Sequence, residues 1–343
     1  MRLTIAAGVL VGTVAMAGVE PSGTVAFPAG KISFSALASE EARTKFVEIL
    51  GRPTGPPAGS SIEMTRHFYD DFNSALVEQM RVRFDVVIKP ETVGGIKADV
   101  VTPAQGISPA NKTRVLINLH GGGFMWGAHS GGLVESIPIA SVGRIKVITI
   151  DYREAPEYSF PAASEDVAAV YASLLKSYKA RDIGIYGGSA GGILAAESVA
   201  WFSTHGLPAP GAIGTFCGSI LDVQGDSAFI APILTGQPIA EKPLSLFDFP
   251  YFKGVNPKDP LALPGNSPAL LGKFPPTLLI SGSRDFALSS VLRSHALLGQ
   301  ANVDTELHVY EGMWHGFFVY PNLPESLAAY SVIVRFFDRH LGG

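Results

Sequence analysis

One serine of the chain lies among four glycines, in the segment Tyr186–Gly192, which reads YGGSAGG. Because glycine loses more conformational freedom than any other residue when it is ordered, the cluster indicates either a loose linker or a backbone shape that other residues refuse. Gly187–Gly191 matches the pattern G-x-S-x-G, in which a sharp strand-to-helix turn exposes a nucleophilic hydroxyl. An apolar run, Ile183–Tyr186, enters it, and an alanine-rich run, Ile193–Ser198, leaves it. This context excludes a linker and predicts Ser189 as a nucleophile.

A second glycine cluster, His120–Phe124 (HGGGF), follows the apolar run Val115–Leu119. Its bare backbone N–H groups can approach a ligand closely. The oxyanion of an acyl-transfer intermediate needs such donors, each worth about 3–4 kcal/mol. The alternative is a turn that only lets two chain segments pass closely. Together with Ser189, the cluster favours an oxyanion hole.

A serine nucleophile needs a base, and the base needs an orienting group. Among eight histidines, His315 lies in a loop directly after the last predicted strand, and we predict it as the base. Asp285 follows the predicted strand Thr277–Ser281 at its C-terminal end, where ligand sites of open α/β sheets gather. The rival acids, Asp304 and Glu311, flank the last strand or lie at its wrong end. We therefore predict Asp285 as the orienting acid.

Strand candidates alternate with helix candidates along most of the chain. The strands are Val82–Ile88, Ile96–Val101, Val115–Leu119, Val147–Ile150, Ile183–Tyr186, Ala212–Phe216, Thr277–Ser281 and Glu306–Tyr310. The helices are Ala38–Leu50, Ile62–Met80, Glu165–Tyr178, Ala190–Phe202, Ser289–Leu298 and Glu325–His340. This alternation predicts an α/β fold with a mostly parallel sheet covered by helices on both faces.

Two regions depart from this alternation: the segment before about residue 80, and Asp222–Leu271. Long excursions of this kind are usually lids or binding surfaces. The second contains the aromatic cluster Phe247–Phe252, which indicates either an apolar ligand or packing within the lid. It also contains Gly225–Phe229, which begins like the serine motif but lacks its last glycine and a flanking strand or helix. Ser227 is therefore predicted to be a lid residue.

Composition narrows the function further. The chain has 343 residues, 47% hydrophobic and 16% charged, enough to bury a large core. A net charge of −4 gives no basic surface for nucleic acid, so we expect no nucleic-acid partner. Cys217 is the only cysteine, which excludes an intramolecular disulfide and a cysteine-based metal site. We interpret it as a small buried residue at a strand end.

The N-terminus has a different character. Arg2 precedes an apolar run, Leu3–Met16, and the small residues of Ala15–Ala17 fit a signal-peptidase site. We predict a signal peptide over residues 1–17 and a secreted or periplasmic protein. The alternative is a buried or cap helix in a cytoplasmic protein. We expect no stable membrane anchor, because no later stretch is long and apolar enough.

Taken together, the motifs resemble those of hormone-sensitive-lipase-like (bacterial family IV) carboxylesterases of the α/β-hydrolase fold. The matching segments are His120–Phe124 (HGGGF), Asp151–Glu157 (DYREAPE), Phe160–Ala163 (FPAA), Gly187–Gly192 (GGSAGG), Asp285 and His315–Phe317. The resemblance covers roughly residues 80–340. It implies an eight-stranded sheet and the same triad of Ser189, Asp285 and His315.

The resemblance also implies the remaining parts of the site. The oxyanion donors would be the backbone N–H groups of Gly122, Gly123 and Ala190. Residues 18–80 and an insertion at about 222–271 would form a cap on a catalytic domain spanning 81–343. In place of the acidic residue that usually precedes the nucleophile, this chain has Gly188, so no carboxylate braces the turn from that position. Arg284–Ser289 also lacks the usual proline after the acid.

These features predict a serine carboxylic-ester hydrolase that acts through an acyl-enzyme on small apolar esters of short or medium chain. A lactone hydrolase of the same fold is the alternative. A peptidase or amidase is less favoured because it needs stronger protonation of the leaving group and usually an extended peptide groove, which the sequence does not exclude. A non-catalytic binding protein is less favoured because all three triad residues are present. The chemistry requires no metal or organic cofactor, and the sequence leaves open whether the chain forms a homodimer.

Overall fold

The strands of this protein form one sheet whose carboxyl ends carry the candidate site. The computed structural model describes residues 31–53, 55–237 and 241–342. The strands are β1 (Val86–Val93), β2 (Ile96–Pro103), β3 (Val115–Leu119), β4 (Lys146–Ile150), β5 (Ile183–Gly188), β6 (Ala212–Phe216), β7 (Thr277–Arg284) and β8 (Thr305–Trp314). Their order is β1-β2-β4-β3-β5-β6-β7-β8, with β1 and β2 antiparallel to their neighbours and the others parallel.

The central strands are buried on both faces, as a parallel sheet covered by helices requires. Every residue of β3, β5 and β6 is buried. The register places Leu119, the last residue of β3, opposite Gly187 of β5, and Gly188 opposite Phe216 of β6. The HGGGF turn and Ser189 therefore leave the sheet side by side.

The helices pack around this sheet. They are α1 (Glu40–Leu50), α2 (Ile62–Arg83), α3 (Ser130–Gly143), α4 (Ala162–Leu174), α5 (Ala190–Thr204), α6 (Asp226–Leu234), α7 (Pro268–Leu271), α8 (Leu288–Gln300) and α9 (Pro324–His340). Serine side chains cap the first two: Ser39 accepts from Ala42 N and Ser61 accepts from Met64 N. The expected fold, an α/β hydrolase with a mostly parallel eight-stranded sheet, is confirmed.

Two local predictions were wrong. The first strand begins at Val86 rather than Val82, because α2 continues to Arg83 and Phe84 N still donates to Met80 O. Val82 and Phe84 are strong strand formers, but tertiary context overrides such propensities. No helix was predicted over α3, whose sequence contains three glycines and Pro138 and has no polar face. Burial stabilises this helix where its intrinsic propensity is low.

Ser35–Gly343 form one compact unit; the other unit is described only over residues 31–34, which have no regular secondary structure. The predicted signal peptide, residues 1–17, lies outside the described residues. Within the described ranges, no helix combines the length and apolar character needed to cross a membrane. The region 222–271 contains α6, α7 and several 3₁₀ turns.

Candidate active site

Ser189 occupies a strained turn between β5 and α5. Its φ is 53°, a left-handed value that non-glycine residues rarely adopt. The turn is tightly packed, because a Cβ at Gly187 or Gly191 would lie 2.1 Å or 1.8 Å from Leu119 O. Ser189 N donates to Phe216 O at 2.7 Å, which ties the turn to β6. The sharp strand-to-helix turn predicted from the sequence is thus present.

The three residues predicted as a triad lie in hydrogen-bond contact. His315 Nε2 is 2.8 Å from Ser189 Oγ, and His315 Nδ1 is 2.8 Å from Asp285 Oδ1. Each residue directly follows a strand: Ser189 follows β5, Asp285 follows β7 and His315 follows β8. A serine hydroxyl, an imidazole and a carboxylate are therefore aligned at one edge of the sheet, which is the arrangement that nucleophilic catalysis by serine requires.

Asp285 is fully buried and has several donors. Besides His315, it accepts hydrogen bonds from Ser281 Oγ at 2.7 Å and Ala287 N at 2.9 Å. Burial would raise the pKa of Asp285, but the charge and hydrogen bond of His315 and these donors hold it below its ordinary value. The Asp285 carboxylate thus stays ionised beside the imidazole. Phe286 stacks on the His315 ring with centroids 4.2 Å apart, which further limits its orientation.

The loop that carries Asp285 is supported by the serine of the incomplete motif. Ser227 Oγ donates to Phe286 O at 2.8 Å and accepts from Ser289 N at 2.8 Å. The expectation that no helix leaves this motif was wrong, because α6 begins at Asp226 directly after Gly225. Within the described residues, Ser227 therefore bonds to the loop that carries Asp285.

The HGGGF turn lies against the serine turn. Gly122 and Gly123 have φ values of 120° and 60°, and a Cβ at Gly122 would lie 1.7 Å from Trp126 O. A Cβ at Gly121 would lie 3.4 Å from Ser189 Cβ. Among the described residues, no acceptor is recorded for the N–H groups of Gly122, Gly123 or Ala190. These N–H groups remain available to a developing oxyanion near Ser189.

A buried histidine shapes the same turn. His120 Nδ1 donates to Gly121 O at 2.8 Å, and its ring stacks on Tyr152 with centroids 4.2 Å apart. Burial lowers the pKa of His120 to about 4, so its imidazole is neutral at ordinary pH. The Tyr152 hydroxyl donates to His120 O at 2.8 Å. His120 thus holds the turn without adding charge to it.

Sequence reasoning missed Glu135, on α3. Its Oε1 accepts from Gly121 N at 3.1 Å, and its Oε2 accepts from Gly188 N at 3.0 Å and Asn118 Nδ2 at 3.0 Å. One carboxylate therefore joins the HGGGF turn to the residue before the nucleophile. The available signal was a lone charged residue in the otherwise uncharged segment Ser130–Gly143.

Two cavities of unequal size meet at Ser189 and His315. The larger, about 540 Å³, is lined by the HGGGF turn, by Tyr69 and Phe72 of α2, and by Trp126. The smaller, about 50 Å³, lies beyond Ala190 and is closed by side chains that include Leu246. Both are largely apolar, which suits an uncharged ligand.

The aromatic cluster of the 222–271 region divides between packing and lining. Tyr251 and Phe252 are fully buried: Tyr251 stacks on Phe124 at 4.4 Å, and Phe252 meets the same ring edge-on at 5.2 Å. Phe249 instead borders both cavities. Packing within the lid therefore holds for Tyr251 and Phe252, whereas Phe249 lies where it could contact a ligand in either cavity.

Cys217 is buried at the end of β6, as predicted, but close to the triad. Its Sγ accepts from Gly316 N at 3.4 Å, and it forms with Asp285 and His315 the one group of potential metal ligands recorded among the described residues. Burial and then the charge of Asp285 raise the pKa of the Cys217 thiol. We assign this group no metal role for two reasons. A cysteine binds a metal as the thiolate, which the raised pKa of Cys217 disfavours. In addition, Asp285 and His315 already bond one another.

Charged residues of the DYREAPE segment connect neighbouring loops and helices. Arg153 bonds Asp166 and Glu165 of α4, with Nε 2.9 Å from Asp166 Oδ1. Asp151 Oδ1 accepts from His129 N at 2.6 Å. None of these hydrogen bonds reaches Ser189, Asp285 or His315.

Comparison with known proteins agrees with this architecture. A family model described as "alpha/beta hydrolase fold" matches residues 116–319, more than half of the chain. An esterase of Acinetobacter venetianus is 27% identical over 73% of this chain and 82% of its own length. An acetyl-hydrolase of Streptomyces hygroscopicus is 28% identical over 76% of this chain and 89% of its own.

Solved structures give the same result. Esterase E25 superposes with a TM-score of 0.79 at 27% identity, covering 93% of this chain and 99% of that chain. An esterase from the bacterial hormone-sensitive lipase family superposes with a TM-score of 0.78 at 28% identity, covering 89% and 99%. The resemblance inferred from the motifs is therefore confirmed, and the chain belongs to the α/β-hydrolase fold family.

Proposed function

We propose that the protein is a serine carboxylic-ester hydrolase that acts through an acyl-enzyme. The observation that carries this proposal is the continuous contact from Asp285 through His315 to Ser189, beside backbone N–H groups with no recorded acceptor. The names of the relatives, esterase and acetyl-hydrolase, support the same class of reaction.

The geometry supports the following sequence of steps. His315 Nε2 takes the Ser189 proton while Oγ bonds the acyl carbon, and the carbonyl electron pair moves to its oxygen. The N–H groups of Gly122, Gly123 and Ala190 stabilise this oxyanion. The pair returns, the C–O bond to the alcohol breaks, and the alcohol leaves with the proton from Nε2. Asp285 orients the imidazole and stabilises its charge.

Water then completes the cycle. His315 Nε2 takes a proton from water as the water oxygen bonds the acyl carbon, which forms a second oxyanion in the same place. When this intermediate collapses, the bond to Ser189 Oγ breaks and Oγ regains its proton from Nε2. The products are a carboxylic acid and the free enzyme.

The unequal cavities favour small apolar esters with one short arm. A space of about 50 Å³ beyond Ala190 holds only a few heavy atoms, whereas about 540 Å³ on the other side accepts a larger group. Side chains from α2 and from the 222–271 region line the larger space. Residues of the 222–271 region, among them Leu244 and Leu246, also line the smaller space. This supports our proposal that the described parts of residues 18–80 and 222–271 serve as a cap over both spaces, including the smaller one that we assign to the acyl group.

Replacing the nucleophile tests the proposal. Ser189→Ala should lower kcat on an aryl acetate by a factor on the order of 10⁶. The matched control is Ser203→Ala, which removes a hydroxyl from the far end of the same helix, where Oγ donates to Ala200 O at 2.9 Å. An unchanged rate in Ser189→Ala would refute the assignment, whereas Ser203→Ala should keep the activity of the parent.

The substrate class needs a separate panel of wild-type assays. Esters of increasing acyl length should show a steep fall once the acyl group outgrows the smaller space. Lactones test the alternative activity, since ring opening uses the same attack. The amide matching the best ester tests for peptidase or amidase activity, and a faster rate on the amide would overturn the ester assignment.

A further inference from the structure

The carboxylate of Glu135 reaches the nucleophile turn from outside it. Glu135 is the only charged residue of α3, and its three hydrogen bonds, each 3.0–3.1 Å, go to Asn118 at the end of β3, Gly121 of the HGGGF turn and Gly188 before the nucleophile. These partners belong to two loops that must keep a fixed spacing, because an oxyanion at Ser189 has to meet donors about 3 Å away.

Gly188 leaves the space that this carboxylate fills. A Cβ at position 188 would lie 2.8 Å from Glu135 Oε1 and 2.8 Å from Phe318 Cζ. The backbone of Gly188 does not itself require glycine, since it is absent from the residues with positive φ. Gly188 is therefore explained by the close approach of Glu135 and Phe318 rather than by the turn.

The contacts of Glu135 also require a carboxylate rather than an amide. All three partners donate, so both carboxylate oxygens act as acceptors. A glutamine would turn its NH₂ group toward at least one backbone N–H in either amide orientation. Burial raises the pKa of Glu135 to about 7, and the three donors act against this rise.

We propose that Glu135 is a positioning residue that holds the HGGGF turn and the nucleophile turn at their working distance, in place of a carboxylate at position 188. This inference rests on the proposed function, because it assigns Glu135 a task at the same site. Glu135 acts through backbone groups and has no part in proton transfer.

The test measures kcat and KM for the aryl acetate in Glu135→Ala and Glu135→Gln. Because a displacement on the order of 1 Å can lower a rate about 100-fold, we expect kcat to fall roughly 10- to 100-fold with a smaller change in KM. The rate of covalent labelling by an aryl phosphonate should fall by a similar factor. Glu135→Gln keeps the size of the side chain, so it reports on the site even if Glu135→Ala unfolds.

A matched control separates positioning from general destabilisation. Glu197 on α5 is a fully buried glutamate, whereas Glu135 is partly buried; the hydrogen bond of Glu197, at 3.5 Å, goes to Ser164 rather than to a loop of the site. Glu197→Ala should lower thermal stability and leave kcat within about twofold at a temperature where the protein is folded. If Glu135→Ala and Glu135→Gln also keep kcat within twofold, or if Glu197→Ala loses as much, the proposal is overturned.

A second experiment moves the carboxylate from position 135 to position 188. Gly188→Asp alone should lose activity, because its side chain would start 2.8 Å from Glu135 Oε1. Glu135→Ala/Gly188→Asp should be more active than either single variant, whereas a loss equal to the product of the single losses would contradict a shared task. If the wild type neither turns over esters nor labels, the proposed function itself fails; an active wild type with normal Glu135 variants refutes only this inference.

Discussion

Two carboxylates flank Ser189, the fully buried Asp285 and the partly buried Glu135, and their surroundings shift their pKa values in opposite directions. Asp285, on the histidine side, faces a group that can carry positive charge, and its pKa is held below the ordinary value. Glu135, on the HGGGF side, faces only neutral donors, and burial raises its pKa to about 7. The same chemical group therefore bonds an imidazole on one side and two backbone N–H groups on the other.

The difference shows that the role of a carboxylate near a nucleophile depends on the group to which it is hydrogen-bonded. In the mechanism that we propose, His315 becomes charged during the reaction and is stabilised by the negative charge of Asp285, so this electrostatic contribution lowers the barrier directly. The partners of Glu135 stay neutral throughout, so its contribution is geometric. We therefore expect loss of Asp285 to cost far more activity than loss of Glu135.

The largest predicted effect on this comparison is that of Asp285→Asn. An amide at this position still fills the space but no longer stabilises the imidazolium, so kcat should fall by a factor on the order of 10⁴. Steady-state kinetics on an aryl acetate measures this loss directly. If Asp285→Asn loses no more than the roughly 10- to 100-fold expected of Glu135→Ala, the division between an electrostatic and a geometric carboxylate is wrong.

The smallest predicted effect concerns stability against pH. Since the pKa of Glu135 rises from 4.5 to about 7 on folding, the unfolded chain releases this proton first as pH increases. The free energy of unfolding should therefore decline between about pH 4.5 and 7, by at most about 1.4 kcal/mol per pH unit from this group. Glu135→Ala should flatten the decline, as measured by denaturant titrations across this range.

Exposed Glu63 supplies the control for that titration. Its pKa is lowered, mainly by the Ser61 side chain, so Glu63→Ala should leave the decline between pH 4.5 and 7 in place. If the free energy of unfolding falls equally with pH in the wild type and in Glu135→Ala, the raised pKa of Glu135 is contradicted. The contrast between the two carboxylates then fails as well.

Prediction from sequence succeeded where a residue follows a strand directly. Ser189, Asp285 and His315 each come after an apolar, β-branched run, and parallel strands bring their carboxyl ends to one edge of the sheet. The glycines beside Ser189 added a second signal, because few other turns are packed so tightly that they exclude a Cβ at these positions. For these reasons the fold and the positions of the triad could be predicted without coordinates.

Prediction failed where tertiary packing decides the structure. Helix α3 contains three glycines and Pro138 and lacks an amphipathic pattern, so nothing local indicates a helix, and Glu135 had no element to be placed on. The absence of a carboxylate at Gly188 was visible in the sequence, but its replacement lies 53 residues away along the chain. Only the contact between the two positions connects them.

The most direct test of the central claim is to identify the residue that an aryl phosphonate modifies in the wild-type protein. Intact-mass measurement and peptide mapping after inactivation should find one adduct per chain, on Ser189, formed in step with the loss of ester hydrolysis. Labelling should be absent from Ser189→Ala and normal in Ser203→Ala. Full inactivation with the adduct on another residue, or ester hydrolysis that survives complete modification of Ser189, would contradict the account.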